Sequence, residues 1–366
     1  MRYKSISSGF FFRFKFVYLF RGLKMKKHVG IVGFGIYMPQ NTLTAKDISD
    51  LTDGVWSEDA VIGKLGFEKK TIPGEKDGTQ EMGYYAAMDC LKNTEVDPLD
   101  IDLIISIGEG WKEYPLTTSS IYIQEKIGAY RAMAFDLAQR CCTSITAMKV
   151  AKDMMIADDT INTVMICGGY RNGDFIDYKN NKVSFMFNLA AGGGALILKK
   201  NYGENELLET SIITDGSFAR DVGVIYGGTL NPINSDNLKS AYKSLDVLDV
   251  EGMKSRLNEK STPNFLKVIR DSLKNSGYSE KDIDYIAMIH FKYSAHKFML
   301  EQLGVSELKS IYLKDYGHMG QIDQILSLKL AKEQGKLKDG DIVVTVGAGI
   351  GYAWAANTIR WGEVRE

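Results

Sequence analysis

Histidine, cysteine and proline are scarce in this chain: four His, four Cys and six Pro among 366 residues. Cys90, Cys141, Cys142 and Cys167 form no C-x-x-C pair, which argues against a zinc ribbon or a secreted disulfide framework and for reduced thiols. Neither sign of charge is in excess, 45 Lys and Arg standing against 46 Asp and Glu, so binding to nucleic acid is not expected. No apolar run approaches the ~20 residues of a membrane span. Residues 1–24 are aromatic and basic, but Arg13, Lys15 and Arg21 interrupt them, and they match neither a span nor a signal peptide. They read as an extension outside the fold, which starts cleanly at Met25 with MKKHVGIVGFGIYMP. A cytoplasmic protein is expected.

Glycine is abundant, at 36 residues, and sits between short runs rich in Ile and Val such as DLIISIG and IVVTVG. Such runs suit strands buried on both faces, and their alternation with helical patterns predicts a layered α/β fold. The chain also repeats itself. Residues 91–108 (LKNTEVDPLDIDLIISIG) and 273–290 (LKNSGYSEKDIDYIAMIH) share eight identities at an offset of 273 − 91 = 182. Lys149–Asp153 and Lys329–Glu333 match at 180, each before a loop and a Gly-ended strand. Two duplicated halves are expected, residues 25–200 and 201–366, the first carrying a nucleophilic cysteine and the second the catalytic histidines.

Few residues remain as candidates for chemistry. Cys141 and Cys142 precede a helical pattern from Thr143 to Met155, and a thiol at a helix N-terminus feels unpaired N–H groups that favour the thiolate. Cys90 and Cys167 fit buried apolar positions. His290 ends the strand IAMIH, where functional groups collect in such sheets, and His318 lies in the turn YGHMGQID before the last helix. His28 reads as a solvated residue beside Lys27, and His296, within the helical pattern of Ala295, Phe298, Met299 and Leu303, as a helix-face residue and not a ligand. The helix after Cys141 and the helix after His318 are equivalents in the two halves, so Cys141, His290, His318 and Glu109 are expected to converge between the halves. A thiolate, a base and oxyanion donors are what nucleophilic acyl chemistry needs. The Gly-rich turn VGAGIGYAWA (Val346–Ala355) offers backbone N–H groups, and no Walker lysine follows it.

Cys141 five residues after Asp136, His290, the YGH turn and the closing GAGIGYAWA together resemble the thiolase superfamily, specifically its ketoacyl-ACP synthase III branch. GIYMP, the Lys64-Leu-Gly66-Phe step and FNLAAGGGALIL (Phe187–Leu198) support the resemblance from Met25 to Trp361. It implies a five-layered αβαβα fold, a homodimer, and an acyl thioester on Cys141. Donors are acyl-CoA or an acyl carrier protein, with no other cofactor and no metal. The oxyanion hole is expected from the backbone of Cys141 and Ile350, and substrate contacts from Lys64, Gly349 and Gly351. Three departures stand out. His318 replaces the family's Asn, giving a Cys-His-His set in which both histidines stabilise an enolate oxygen. The residues flanking the nucleophile are Arg140 and Cys142-Thr143, and SEDAVIGKLG holds no tryptophan at the adenine-stacking position. The stretch from His290 also resembles hydroxymethylglutaryl-CoA synthases, which suggests an aldol route with Glu109 as base. An inert scaffold subunit is the alternative outside catalysis.

Overall fold

The computed structural model describes residues 27–364; the N-terminal extension expected over residues 1–24 lies outside them. Strands β1 (Val29–Tyr37), β2 (Asn41–Thr44), β3 (Lys69–Ile72), β4 (Leu103–Ser106), β5 (Met133–Asp136), β6 (Thr163–Tyr170) and β7 (Gly192–Lys200) belong to the first part of the chain. β8 (Glu204–Thr214), β9 (Val222–Val224), β10 (Leu245–Val247), β11 (Ile283–Met288), β12 (Ile342–Gly349) and β13 (Ala353–Glu363) follow. The longer helices are α1 (Ala45–Leu51), α2 (Thr79–Thr94), α3 (Ser119–Ile127), α4 (Thr143–Ala157), α5 (Val250–Asn275), α6 (Tyr293–Leu303) and α7 (Asp323–Glu333).

The main sheet runs β11-β12-β13-β8-β1-β7-β6-β4-β5, and β8 meets β1 through a single pair, Gly30 opposite Glu206. Either side of that junction the order is the same. β4 and β6 are parallel, as are β11 and β12, and the strands leading inward from them are antiparallel. The duplication read from the sequence is therefore a structural one. Within the main sheet, among the described residues, β5 has no counterpart: at the offset of 180 its equivalent, residues 313–316, forms no strand.

Strand alternation explains the layering. Leu103 and Ile105 of β4 point to the middle of the molecule with Tyr285 and Ala287 of β11, while Ile104 and Ile286 point outward. The middle layer holds α4 through Ile145, Met148, Ala151 and Met155, and α7 through Ile325, Leu328 and Ala331. α2 and α3 cover the outer face of the first half; α5 and α6 cover that of the second. Each such fully buried aliphatic side chain contributes ~1.5–3 kcal/mol relative to exposure. The two central helices start where the halves meet, and so does the candidate site.

One sequence expectation needs correction. Ile121, Ile123 and Ile127 of residues 117–130 read from the sequence as belonging to an exposed edge strand at a dimer interface, but Ser119–Ile127 is a helix. The four-residue spacing of Ile123 and Ile127 puts both against their own half, and only Ile121 is exposed. His296 does lie on a helix face, that of α6, and is buried there beside Phe291 and Tyr312.

Candidate active site

Cys141 sits in a one-turn 3-10 segment, Arg140–Cys142, that leads into α4. The matching turn Gly320–Ile322 leads into α7 at an offset of 320 − 140 = 180. Arg140 adopts φ +53°, a left-handed conformation that costs a non-glycine residue ~1–2 kcal/mol and turns the chain sharply before the nucleophile. The end of β12 packs directly on this turn. A Cβ on Gly349 would come within 3.1 Å of the Cys141 nitrogen, and one on Gly347 within 3.0 Å of its carbonyl oxygen. Glycine is required for that close approach. Gln324 of α7 donates to the Cys141 carbonyl at 3.4 Å, so the second half holds the backbone of the first half's thiol.

The structure brings Cys141, His318 and His290 together. Cys141 Sγ lies 3.2 Å from His318 Nε2, both side chains being buried. On the other edge of the ring, His318 Nδ1 lies 2.6 Å from Asp323 Oδ2. The same carboxylate accepts the His290 N–H at 2.7 Å through Oδ2 and the Met319 N–H at 2.7 Å through Oδ1. Asp323 is fully buried at the first position of α7, where the unpaired N–H end favours a negative charge.

The two histidines are not equivalent. Burial opposes a charge on His318, but Asp323 and Cys141 outweigh it and hold the imidazole well above its ordinary pKa. His290 is driven the other way, down to about 3, by burial and then by the neighbouring His318 and His296. Its ring is tilted 38° against that of Tyr312 at 5.0 Å, and both ring nitrogens are buried without a hydrogen-bond partner among the described residues. A neutral imidazole carries one N–H that can donate to an oxygen. Cys142, by contrast, is turned away: its Sγ meets the Ala353 carbonyl at 3.4 Å, and burial pushes its thiol far up.

Glu109 is buried, and its carboxylate is 2.7 Å from Arg140 Nη1. Lys64 lies in a cleft of 310 Å³ with Trp56, Phe185, Asn188, Phe291 and Lys292. The cleft reaches the site's backbone, since Asn188 accepts the His318 N–H at 2.8 Å and Phe291 adjoins His290. Trp56 thus supplies an aromatic wall beside Lys64 that the sequence placed nowhere, because the tryptophan comes before the stretch SEDAVIGKLG. Gly351 and Ile350 form the turn after β12. Sequence reasoning missed Asp323 and Arg140. The signal for Asp323 was an acid opening a helix whose following residues, Ile325, Leu326 and Leu328, are all apolar.

Comparison with known proteins agrees with this geometry. Residues 135–216 match the family described as 3-oxoacyl-[acyl-carrier-protein] synthase III, and residues 273–361 match its C-terminal part. The beta-ketoacyl-[acyl-carrier-protein] synthase III of Clostridium tetani is 28% identical over 341 residues, 92% of this chain and 99% of that one. Its counterpart from Clostridium acetobutylicum is 27% identical over 335 residues, 91% and 98% of the two chains. Among solved structures, the 3-oxoacyl-[acyl-carrier-protein] synthase III of Aquifex aeolicus superposes with TM-score 0.78 at 19% identity, covering 91% of this chain and all of that one. The priming beta-ketosynthase of the R1128 polyketide pathway superposes with TM-score 0.76 at 20% identity, covering 93% and 99%. With its duplicated layers, its thiol at the junction and this agreement along nearly the whole length, the chain belongs to the beta-ketoacyl-ACP synthase III family of the thiolase superfamily.

Proposed function

We propose that the chain is a condensing acyltransferase in which Cys141 takes an acyl group from a CoA or carrier-protein thioester and passes it to a malonyl-type acceptor. The observation that carries this reading is the buried contact of 3.2 Å between Cys141 Sγ and His318 Nε2, beside a partnerless His290. In the first half-reaction the sulfur attacks the donor carbonyl carbon, the new C–S bond forms and the donor thiolate leaves. The oxyanion is received by the backbone N–H groups of Cys141 and Ile350, a reading supported by the close packing of Gly349 on the Cys141 nitrogen. In the second, loss of carbon dioxide from the acceptor leaves an enolate whose oxygen the neutral His290 can hydrogen-bond. The carbanion then attacks the acyl carbon and releases Cys141.

Donor thioesters enter by the cleft between Trp56, Lys64 and Lys292, whose two ammonium groups suit phosphate or an acidic carrier surface. Gly351, where a Cβ would meet nothing within 4 Å, leaves room for the acyl end, whereas Gly349 is filled by the Cys141 turn. The aldol reading with Glu109 as base is disfavoured because its carboxylate is already held by Arg140. We also infer a homodimer. β5 closes the sheet with an unpaired edge, and Ile121, Tyr130 and Met133 beside it are exposed, an arrangement that aggregates unless covered.

Intact mass after incubation with a panel of acyl-CoA and acyl-carrier donors tests the nucleophile. One acyl adduct is expected, absent in Cys141→Ala, with carbon dioxide released on adding malonyl thioester. An adduct that survives that substitution, or condensation without carbon dioxide, would overturn the reading.

A further inference from the structure

We infer that Asp323 is a positioning residue that makes a Cys141–His318–Asp323 relay of the site, with His318 serving the thiol and His290 alone serving the substrate oxygen. The inference rests on Cys141 being the acyl acceptor, and deepens it by giving the two histidines different tasks. Three contacts of one carboxylate carry it. Oδ2 is 2.6 Å from His318 Nδ1 and 2.7 Å from the His290 N–H, and Oδ1 is 2.7 Å from the Met319 N–H. An ionised carboxylate only accepts, so Nδ1 of His318 must carry a proton, and Nε2 is left facing Cys141 as the proton acceptor.

The chemistry closes on these atoms. The Cys141 S–H proton passes to His318 Nε2, leaving a thiolate beside an imidazolium whose charge Asp323 compensates. The thiolate attacks the donor carbonyl, and the departing donor sulfur takes the proton back from Nε2. Asp323 stays ionised throughout. His290 is assigned no part in that transfer: Asp323 holds its backbone, its ring nitrogens have no partner among the described residues, and the imidazole in contact with Cys141 Sγ is that of His318. Other groups face His318 as well. The Tyr170 ring lies 6.2 Å away, His290 adjoins it, and the Glu109–Arg140 ion pair borders Tyr170 and Cys141. Tyr170 is held far above its ordinary range by burial and then by Cys141, so it stays neutral. Glu109 is countered by Arg140 at 2.7 Å, whereas the Asp323 carboxylate contacts the His318 ring itself at 2.6 Å.

The test is the pH profile of iodoacetamide alkylation at Cys141, read by peptide mass, in the full chain and in Asp323→Asn, Asp323→Glu and Cys141→Ala. An adjacent opposite charge moves a pKa by ~1–3 units, so Asp323→Asn is expected to raise the midpoint and slow alkylation at least about tenfold at mildly acid pH. Asp323→Glu, which keeps the charge, is expected to restore part of the profile. An unchanged midpoint in folded Asp323→Asn overturns the proposal. Should that variant not fold, nitrogen-15 spectra of the wild-type histidines decide, with His318 assigned through His318→Asn. A proton on Nδ1 of His318 at neutral pH supports the relay, and an unprotonated Nδ1 overturns it. Alkylation needs no acyl donor, so a Cys141 that is never acylated would defeat the nucleophile reading while the profile still reports on Asp323.

Discussion

The carboxylate of Glu109 and the guanidinium of Arg140 meet at 2.7 Å, one residue before the thiol, with Glu109 buried and Arg140 more than half exposed. The asymmetry decides what each substitution does. Glu109→Gln leaves an exposed cation that water solvates, and is expected to cost less than about 1 kcal/mol. Arg140→Ala leaves a buried carboxylate unpaired and is expected to cost about 1.5–3 kcal/mol, read as the urea midpoint. Turnover of Glu109→Gln should remain within about tenfold of wild type on the decarboxylative route. A dead Glu109→Gln that still acylates at Cys141 would instead support the aldol route.

The different surroundings of the two histidines predict separable defects. His290→Ala removes the donor to the enolate oxygen and is expected to slow carbon dioxide release ~10²–10³-fold while Cys141 still acylates. His318→Ala should slow the acylation itself. Burst-phase mass spectrometry and a carbon dioxide assay on the same samples distinguish the two, and equal defects in both steps would refute the division.

Acid should weaken the fold in a defined window. His290 and His296 are pulled down to about 3 and about 4 by burial, from an ordinary 6.5, so below that pH the unfolded chain binds protons the folded one does not. Stability is therefore lost as pH falls from 6.5 toward 4, at up to about 1.4 kcal/mol per unit for each group. His318 has the opposite sign. Its raised pKa gives stability that is fully present below the ordinary 6.5 and fades as pH rises through the folded value. Urea midpoints across this range check both slopes, and His296→Phe should flatten the acid limb.

Lys70 holds the segment that carries His318. Its buried ammonium donates to the Phe187 and Leu189 carbonyls at 2.7 Å each and to the Tyr178 hydroxyl at 2.8 Å, although burial draws its pKa down to about 7. Leu189 bridges His318, and Asn188 accepts its N–H. Lys70→Met leaves two buried carbonyls unsatisfied and is expected to cost about 2–4 kcal/mol and slow Cys141 acylation. A variant with unaltered midpoint and burst would show that the segment stands without it.

Sedimentation at low micromolar concentration is expected to give about twice the 40.8 kDa chain mass. A charge at the free edge, Met133→Asp, should yield monomer, because a single carboxylate in an apolar interface has no partner there. A stable, active wild-type monomer would rule out the dimer.

The sequence by itself determined the layers and the thiol. Strand runs with a two-residue period, helices with a Gly-ended turn after them and an offset of 180 to 182 residues are local patterns, and they led to the duplicated fold, to Cys141 and to both histidines. The physical reason that Cys141 and not Cys142 faces the site lies in the tertiary structure, in the 3-10 turn and in β12 packing against it, a contact between residues some 200 apart in the chain. Asp323 was as visible in the sequence as His318, but its meaning was not. One carboxylate at the start of a buried helix acquires its role only when folding brings the residue after β11 and the His318 ring within its hydrogen-bond reach, and the thiol of the other half against that ring. Pairwise distances and burial set the charge on each histidine, and neither quantity is carried by residue type.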